Sequence, residues 1–180
     1  MHLVIFGNSG SGKSTLAKEL STEGKLGYLD LDTIAWTGST PPQRASHDWS
    51  KEQISLFVNR HQNWIIEGCY ASLISLASER ASHLVFLNPG IDVCRQNCLA
   101  RPWEPHKYRT KEEQDRNLAM LLDWVGEYKL RTDDFSYQEH RRVFDTFSRT
   151  KIEARSNTEV KTVANELKRL LPENQSSQAQ

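Results

Sequence analysis

The stretch GNSGSGKST, residues 7–15, is the part of this 180-residue sequence that decides its fold. It fits the pattern G-x-x-x-x-G-K-[ST] at every specified position. The apolar residues HLVIF at 2–6 precede it, and a helix-like pattern runs from Lys13 to about Leu20. A strand, a glycine-rich loop and a helix in this order predict a phosphate-binding loop.

The residue types in this loop fit the binding of a phosphate chain. Backbone N–H groups approach phosphate oxygens closely only where side chains are absent, which is our explanation for the glycines. Lys13 is predicted to reach the β- and γ-phosphates of ATP, and Ser14 to ligate Mg²⁺. The predicted nucleotide-binding residues are Gly7, Asn8, Ser9, Gly10, Ser11, Gly12, Lys13, Ser14 and Thr15. A glycine- and serine-rich turn that happens to precede a helix is the alternative interpretation.

Length and charge limit the classes of protein to be considered. The length fits one domain, predicted at residues 1–171, followed by a polar, flexible tail at 172–180. The 23 basic and 23 acidic residues balance, so we do not expect direct binding to nucleic acid through its phosphates. No apolar run is long enough to cross a membrane, and Met1 leads directly into the first predicted strand, so we expect a cytoplasmic protein without a membrane partner.

The cysteines do not form the pattern of a disulfide framework. There are only three, of which Cys94 and Cys98 are close enough to share one face of a helix. No pair of histidines nearby completes a zinc site, so we expect these two side chains to be buried as small apolar groups.

Short apolar runs alternate with helical patterns along the chain, which is typical of a parallel sheet covered on both faces. The predicted strands are residues 3–6, 27–31, 64–66, 84–87 and 150–154. This predicts an α/β fold of three layers, in which ligands bind beyond the carboxyl ends of the strands. Two helix starts are predicted from capping boxes, one at Ser50 with Gln53 and one at Ser156 with Glu159.

Three acidic residues lie near the carboxyl ends of predicted strands. Asp30 and Asp32 alternate along the second strand, so we expect both to point to the same side. An acid there can orient an acceptor hydroxyl, take its proton late in transfer or hold Mg²⁺ through water, and we favour Asp32 for the acceptor. Its alternative role is a helix-capping or turn carboxylate. Glu67 lies at the end of the third strand and is the predicted outer-sphere ligand of Mg²⁺. The alternative is that Glu67 forms a salt bridge in a loop.

Two further segments are neither sheet nor covering helix. Residues 37–48 are predicted to form a loop that closes over the acceptor. Residues 101–111 carry four basic side chains and one acid, and we interpret them as part of a lid at about 95–116. Arg95 and Arg101 flank a helix there and are candidate catalytic cations, with ordinary surface cations as the alternative. His140 and the two arginines after it are interpreted as a helix surface rather than a site.

Taken together, these motifs resemble those of small bacterial P-loop kinases known as DNA topology modulation proteins, which are related to adenylate and shikimate kinases. The resemblance covers almost the whole chain, and only the phosphate loop is specific by itself. It implies a five-stranded sheet of order 2-3-1-4-5, an ATP site at residues 7–15 and a lid at about 95–108. It is carried by GNSGSGKSTLAKEL at 7–20, YLDLDTIAW at 28–36, WIIEGCY at 64–70, SERASHLVFLNP at 78–89, the 95–101 segment, LLDWVGEY at 121–128 and IEARSNTEV at 152–160.

The sequence departs from the family pattern at two informative positions besides Glu67, where aspartate is usual. Asn88 stands where an acid is expected after the fourth strand, and Ala77 where an arginine is expected. The residues and the resemblance together predict a kinase that uses ATP and Mg²⁺ to phosphorylate a small-molecule acceptor. A nucleotide-dependent switch or slow ATPase that acts through a partner is the rival hypothesis, and an effect on DNA is a third.

Overall fold

The computed structural model describes residues 1–38, 43–103 and 109–172. Residues 104–108 of the predicted lid, 39–42 of the predicted acceptor loop and 173–180 of the predicted tail therefore lie outside the described part. Parallel strands form one sheet within it, and each of the predicted strands is present. They are β1 (His2–Gly7), β2 (Gly27–Asp30), β3 (Trp64–Gly68), β4 (His83–Leu87) and β5 (Thr150–Ala154).

The strand order is β2-β3-β1-β4-β5, as the family resemblance implied. The strand that leads into the phosphate loop is therefore central, with β3 on one side and β4 on the other. The register places Ile5 beside Glu67 of β3 and Val85 of β4. Because all the strands are parallel, the end of β1 lies at the same sheet edge as the ends of β2 and β3.

Helices connect the strands and cover the sheet. A 3₁₀ turn at Glu127–Lys129 follows the longest of them. Among the described residues, the α-helices are α1 (Lys13–Gly24), α2 (Asp32–Ala35), α3 (His47–Arg60), α4 (Ala71–Ser78), α5 (Ile91–Leu99), α6 (Lys111–Gly126), α7 (Tyr137–Thr146) and α8 (Asn157–Arg169). None of these described helices is long and apolar enough to cross a lipid bilayer.

The core lies on both faces of the sheet because side chains alternate along each strand. Val4 and Phe6 of β1 belong to the apolar layer on the α4 and α7 side. Leu3 and Ile5, which alternate with them, belong to the layer on the α1 and α8 side. With both faces buried, β1 is apolar along nearly its whole length, which is the pattern that identified it in the sequence.

One of the two predicted helix starts is wrong. Helix α3 begins at His47, and its cap is Ser46, whose hydroxyl accepts a hydrogen bond from the backbone N–H of Trp49. Ser50 lies inside the helix and donates its hydroxyl proton to the carbonyl of Ile34 at 2.9 Å, so it links α3 to α2 instead of capping.

The other predicted start is confirmed. Ser156 caps α8 by accepting from the backbone N–H of Glu159. The carboxylate of Glu159 in turn accepts a hydrogen bond from the backbone N–H of Arg155 at 2.7 Å, one residue earlier than in an ideal capping box.

Candidate functional site: the phosphate loop and its acidic neighbours

The phosphate loop leaves the end of β1 and leads into α1, as the sequence predicted. Gly12 caps α1 with φ 93° and ψ 4°, a left-handed conformation that favours glycine. The first turn of an α-helix leaves backbone N–H groups without intrahelical partners and carries the positive end of the helix dipole. The start of α1 at Lys13 therefore offers donors and positive potential to an anion.

The glycines of the loop are required for different reasons, which the sequence did not distinguish. A Cβ at Gly7 or at Gly10 would lie 2.2 Å from a backbone carbonyl oxygen, that of Leu87 or that of Cys94. A Cβ at Gly12 would have nothing within 4 Å. Gly7 and Gly10 thus allow the loop to pack against β4 and α5, whereas the space beside Gly12 is open.

Two asparagine side chains hold the loop in place. Asn8 is buried, accepts a hydrogen bond from the N–H of Ser9 and donates to the carbonyl of Val125 in α6 at 3.1 Å. Asn97 of α5 donates to the carbonyl of Gly10 at 2.8 Å. Helices α5 and α6, which include the two ends of the predicted lid, are therefore hydrogen-bonded directly to the phosphate loop.

Lys13 lies in a strongly acidic environment. Burial acts to lower the pKa of Lys13, but the neighbouring acidic groups Cys69, Glu67 and Asp32 outweigh burial, and the pKa is raised. The ammonium is thus charged at neutral pH. Its Nζ lies 3.5 Å from the carbonyl oxygen of Asn8.

Glu67 lies beneath the loop and is 1% exposed. Burial raises the pKa of its carboxyl, and the nearby Lys13 ammonium opposes that shift. The hydroxyls of Ser14 and Tyr28 hydrogen-bond to it, Tyr28 at 3.0 Å from Oε1. Tyr28 was missed by the sequence analysis, and no pattern around it distinguishes it from an ordinary strand tyrosine.

Ser14 and Glu67 together fit the predicted Mg²⁺ site. Both are oxygen donors, which Mg²⁺ prefers, and protein Mg²⁺ sites next to phosphates commonly use only one or two such side chains. The described residues contain no cluster of three or more His, Cys, Asp or Glu that would hold a metal without a nucleotide. The donor set therefore fits a metal that arrives with phosphate oxygens.

Asp32 interacts electrostatically with Lys13, but it is not positioned by strand β2 as predicted. The expectation that Asp30 and Asp32 share one face of a strand is wrong, because β2 ends at Asp30 and Asp32 opens α2. The carboxylate of Asp30 accepts from the backbone N–H of Asp32 at 2.9 Å and so stabilises this turn. The Asp32 carboxylate accepts a hydrogen bond from the hydroxyl of Tyr70 at 2.6 Å.

A cleft of about 680 Å³ opens beside the loop. Arg101 lies at the cleft, with Nη2 3.4 Å from the hydroxyl of Ser9. Trp103 and Pro102 provide apolar surface on the same side. The other lining residues are Ser9, Gly10, Gly12, Lys13, Ser14, Thr15, Leu16, Lys18, Glu19, Asn97, Ala100, Val160, Lys161 and Ala164.

Arg95, the other candidate cation, points elsewhere. Its Nε donates to the carbonyl of Leu122 in α6 at 3.1 Å, and its guanidinium occupies the space beside Gly126. Arg95 is not among the described residues that line the cleft. The structure thus brings Arg101 to the phosphate loop and places Arg95 between α5 and α6.

His140 does not lie on a helix surface as expected. It is fully buried beside Phe6 and Phe86, its Nδ1 pairs with the hydroxyl of Tyr128 at 2.6 Å, and its Nε2 with the carbonyl of Cys69 at 2.8 Å. Burial lowers the pKa of His140 to about 4. The neutral ring therefore ties α7 to the segment after β3 that carries Cys69.

The remaining predictions about single residues can be compared with the structure directly. Cys94 and Cys98 are buried, as expected, and Cys94 packs against the loop at Gly10. Ala77 is buried in the core on the α4 side, where an arginine would place a charge among apolar side chains. The side-chain amide of Asn88, just after β4, donates a hydrogen bond to the carboxylate of Glu153 in β5 at 3.0 Å. Asn88 therefore links the ends of these two strands.

No family model and no curated protein matches the sequence. Solved structures do match. The YorR protein of Bacillus subtilis, solved with phosphorylated GDP, is 13% identical over 93% of this chain and 94% of its own, with a TM-score of 0.53. Shikimate kinase from Bacteroides thetaiotaomicron is 18% identical over 94% and 97%, with a TM-score of 0.52. Shikimate kinase from Aquifex aeolicus is 16% identical over 93% and 94%, with a TM-score of 0.50. At these identities the similarity shows the α/β fold of the shikimate kinase type and nothing finer.

Proposed function

We propose that this protein transfers the γ-phosphoryl group of ATP to a small-molecule acceptor, with Mg²⁺ as cofactor. The acceptor group is a hydroxyl or phosphate of a nucleotide, a nucleoside or another metabolite. The observation that carries the proposal is that Lys13, which lines the cleft together with Ser14, interacts electrostatically with both Glu67 and Asp32. The fold shared with shikimate kinases supports a small acceptor, and the motif resemblance supports the family of small bacterial P-loop kinases.

The residues divide the reaction between them. The loop amides and Lys13 hold the β- and γ-phosphates, and Arg101, which lies at the cleft, contacts the transferred group when both substrates are bound. Asp32 orients the acceptor hydroxyl and takes its proton late in transfer, as the new P–O bond forms and the bond to ADP breaks. Ser14 and Glu67 would hold Mg²⁺, which would supply positive charge beside the phosphate oxygens.

Calorimetric titration with ATP and Mg²⁺ is the first test. We expect saturable heat with wild-type protein and at least about tenfold weaker binding with Lys13→Ala, because a half-buried cation that lines the cleft is lost. Lys51→Ala is the matched control, since Lys51 is exposed on α3. No heat with the wild type, or equal heat with Lys13→Ala, contradicts the proposal.

The second test is transfer itself. Labelled ATP is incubated with nucleosides, nucleoside monophosphates, sugars and cyclic hydroxy acids, and the products are separated. A labelled acceptor that forms with wild type, and far more slowly with Asp32→Ala, supports the proposal. Labelled inorganic phosphate alone, with every acceptor, favours the slow ATPase or switch instead.

A further inference from the structure

A chain of hydrogen bonds connects Asp32 to an exposed indole. The Trp36 Nε1–H donates to the hydroxyl oxygen of Tyr70 at 2.8 Å, and the Tyr70 hydroxyl donates to Oδ1 of Asp32 at 2.6 Å. Trp36 follows α2, which Asp32 begins, whereas Tyr70 comes from the segment after β3. The chain therefore joins two segments at the carboxyl edge of the sheet.

The direction of this chain is fixed by chemistry. The pKa of Tyr70 is raised well above its ordinary value, mainly by burial and to a smaller extent by the charge of Asp32. Its hydroxyl therefore stays protonated at any physiological pH. An indole N–H can only donate. The single proton of Tyr70 is thus directed to Asp32, and a hydrogen bond to a carboxylate is stronger than one between neutral groups.

The Tyr70 ring has little freedom to move. Tyr70 is 3% exposed, and its ring lies 4.3 Å below the guanidinium carbon of Arg44 and 5.0 Å from the ring of Phe135. Arg44 is held in turn by Asp134 at 3.1 Å, and Asp134 also accepts from the backbone N–H of Ser72. The hydroxyl of Tyr70 is therefore a fixed donor, unlike water or a mobile side chain.

Asp32 needs such a donor because Lys13 competes for it. The Lys13 ammonium interacts electrostatically with Asp32. In the proposed reaction Lys13 binds phosphate, and Asp32 faces the acceptor. The hydrogen bond from Tyr70 acts on the same carboxylate, at the start of the four-residue helix α2, and opposes this attraction.

We propose that Tyr70 is the positioning residue that holds Asp32 towards the acceptor and leaves Lys13 available to the phosphates. Trp36 keeps the Tyr70 hydroxyl oxygen oriented. This inference rests on the proposed function for its catalytic meaning, but the hydrogen-bond chain itself can be tested without an acceptor.

The acceptor-independent test uses the indole N–H resonances of the five tryptophans in ¹⁵N-labelled protein, with Trp36→Phe to assign the relevant signal. We expect Tyr70→Phe to shift the Trp36 signal upfield, because its acceptor is lost. Asp32→Ala should shift it too, since donors and acceptors in a chain polarise one another. Asp32 is only partly buried, so its truncation leaves no closed cavity. Tyr137→Phe is the control and leaves the signal unchanged.

The kinetic test separates positioning from folding. Tyr70→Phe should lower kcat for transfer about tenfold to a hundredfold while KM for ATP stays unchanged, which is the range for loss of one hydrogen bond to a charged group. In an Asp32→Ala background the same change should have little further effect. The positioning role is overturned if the double variant loses kcat by the product of the two single losses, or if Tyr70→Phe transfers at the wild-type rate. Either outcome leaves the proposed function standing.

The two proposals can fail separately. Wild-type protein that phosphorylates no acceptor refutes the proposed function. In that case a Trp36 signal that shifts in Asp32→Ala upholds the hydrogen-bond chain, and one that does not shift overturns the inference as well.

Discussion

Gly10 and Gly12 both have positive φ angles, but replacing each of them by alanine should have different consequences. The φ angles are 78° at Gly10 and 93° at Gly12, so either alanine would be strained. A Cβ at Gly12 would enter open space in the cleft, whereas one at Gly10 would lie 2.2 Å from the Cys94 carbonyl oxygen and 2.8 Å from Cys98 Sγ. We predict that Gly12→Ala mainly weakens ATP binding and that Gly10→Ala mainly destabilises the fold.

The magnitudes follow from these surroundings. A left-handed conformation costs an alanine roughly 1–2 kcal/mol, and this is the whole loss expected for Gly12→Ala. Gly10→Ala adds a clash of its Cβ with the backbone of α5 at Cys94, and such overpacking costs about 1–3 kcal/mol more. For a chain of this length, the melting temperature should fall by about 2–8 °C in Gly12→Ala and about 4–20 °C in Gly10→Ala.

Thermal unfolding and calorimetric titration with ATP measure the two effects on the same samples. Gly12→Ala should bind ATP roughly tenfold or more weakly, because its methyl group would enter the open cleft where the proposed function places the phosphates. Gly38→Ala is the control, since a Cβ there meets nothing and no strain arises. The reasoning is refuted by equal melting temperatures for the two loop variants, or by wild-type ATP affinity in Gly12→Ala.

Other predictions concern His140 and the two candidate arginines. The pKa of His140 is about 4 in the folded protein against an ordinary 6.5, so the buried neutral ring stabilises the fold fully above pH 6.5. As the pH falls from 6.5 towards 4, the free energy of unfolding should drop by up to about 3 kcal/mol, and denaturant titrations of His140→Gln should show a flatter pH dependence. Arg101→Ala should weaken ATP binding about tenfold at unchanged melting temperature, because Arg101 lies at the cleft and at Ser9. Arg95→Ala should lower the melting temperature instead, because Arg95 joins α5 to α6. If this variant lost kcat at an unchanged melting temperature, the catalytic interpretation of Arg95 would be restored.

The sheet was predictable from the sequence because its signals are local. A strand buried on both faces has to be apolar throughout, so β1 and β4 stand out against the polar helices that cover them. The phosphate loop adds a fixed spacing of glycines, a lysine and a serine. The start of α3 was misplaced because Ser46 and Ser50 are both acceptable caps by type. The hydrogen bond from Ser50 to Ile34, a tertiary contact, excludes Ser50 as the cap.

The site was less predictable, because its decisive contacts join residues that are far apart in the chain. Asp32 was found for a reason that proved wrong, since it lies beyond the strand, and its partner Tyr70 follows another strand altogether. Tyr28 and His140 carry no signal of their own, as a tyrosine in a strand and a histidine in a helix are commonplace. What distinguishes them is burial next to a group that needs their hydrogen bond, Glu67 in one case and the Cys69 carbonyl in the other. Since the parallel sheet brings the ends of β1, β2 and β3 to one edge, the polar residues just beyond those ends become neighbours of the phosphate loop. The topology therefore determines which of the five tyrosines and 23 acidic residues can lie near the phosphate loop, and the sequence shows them only once the strand order is known.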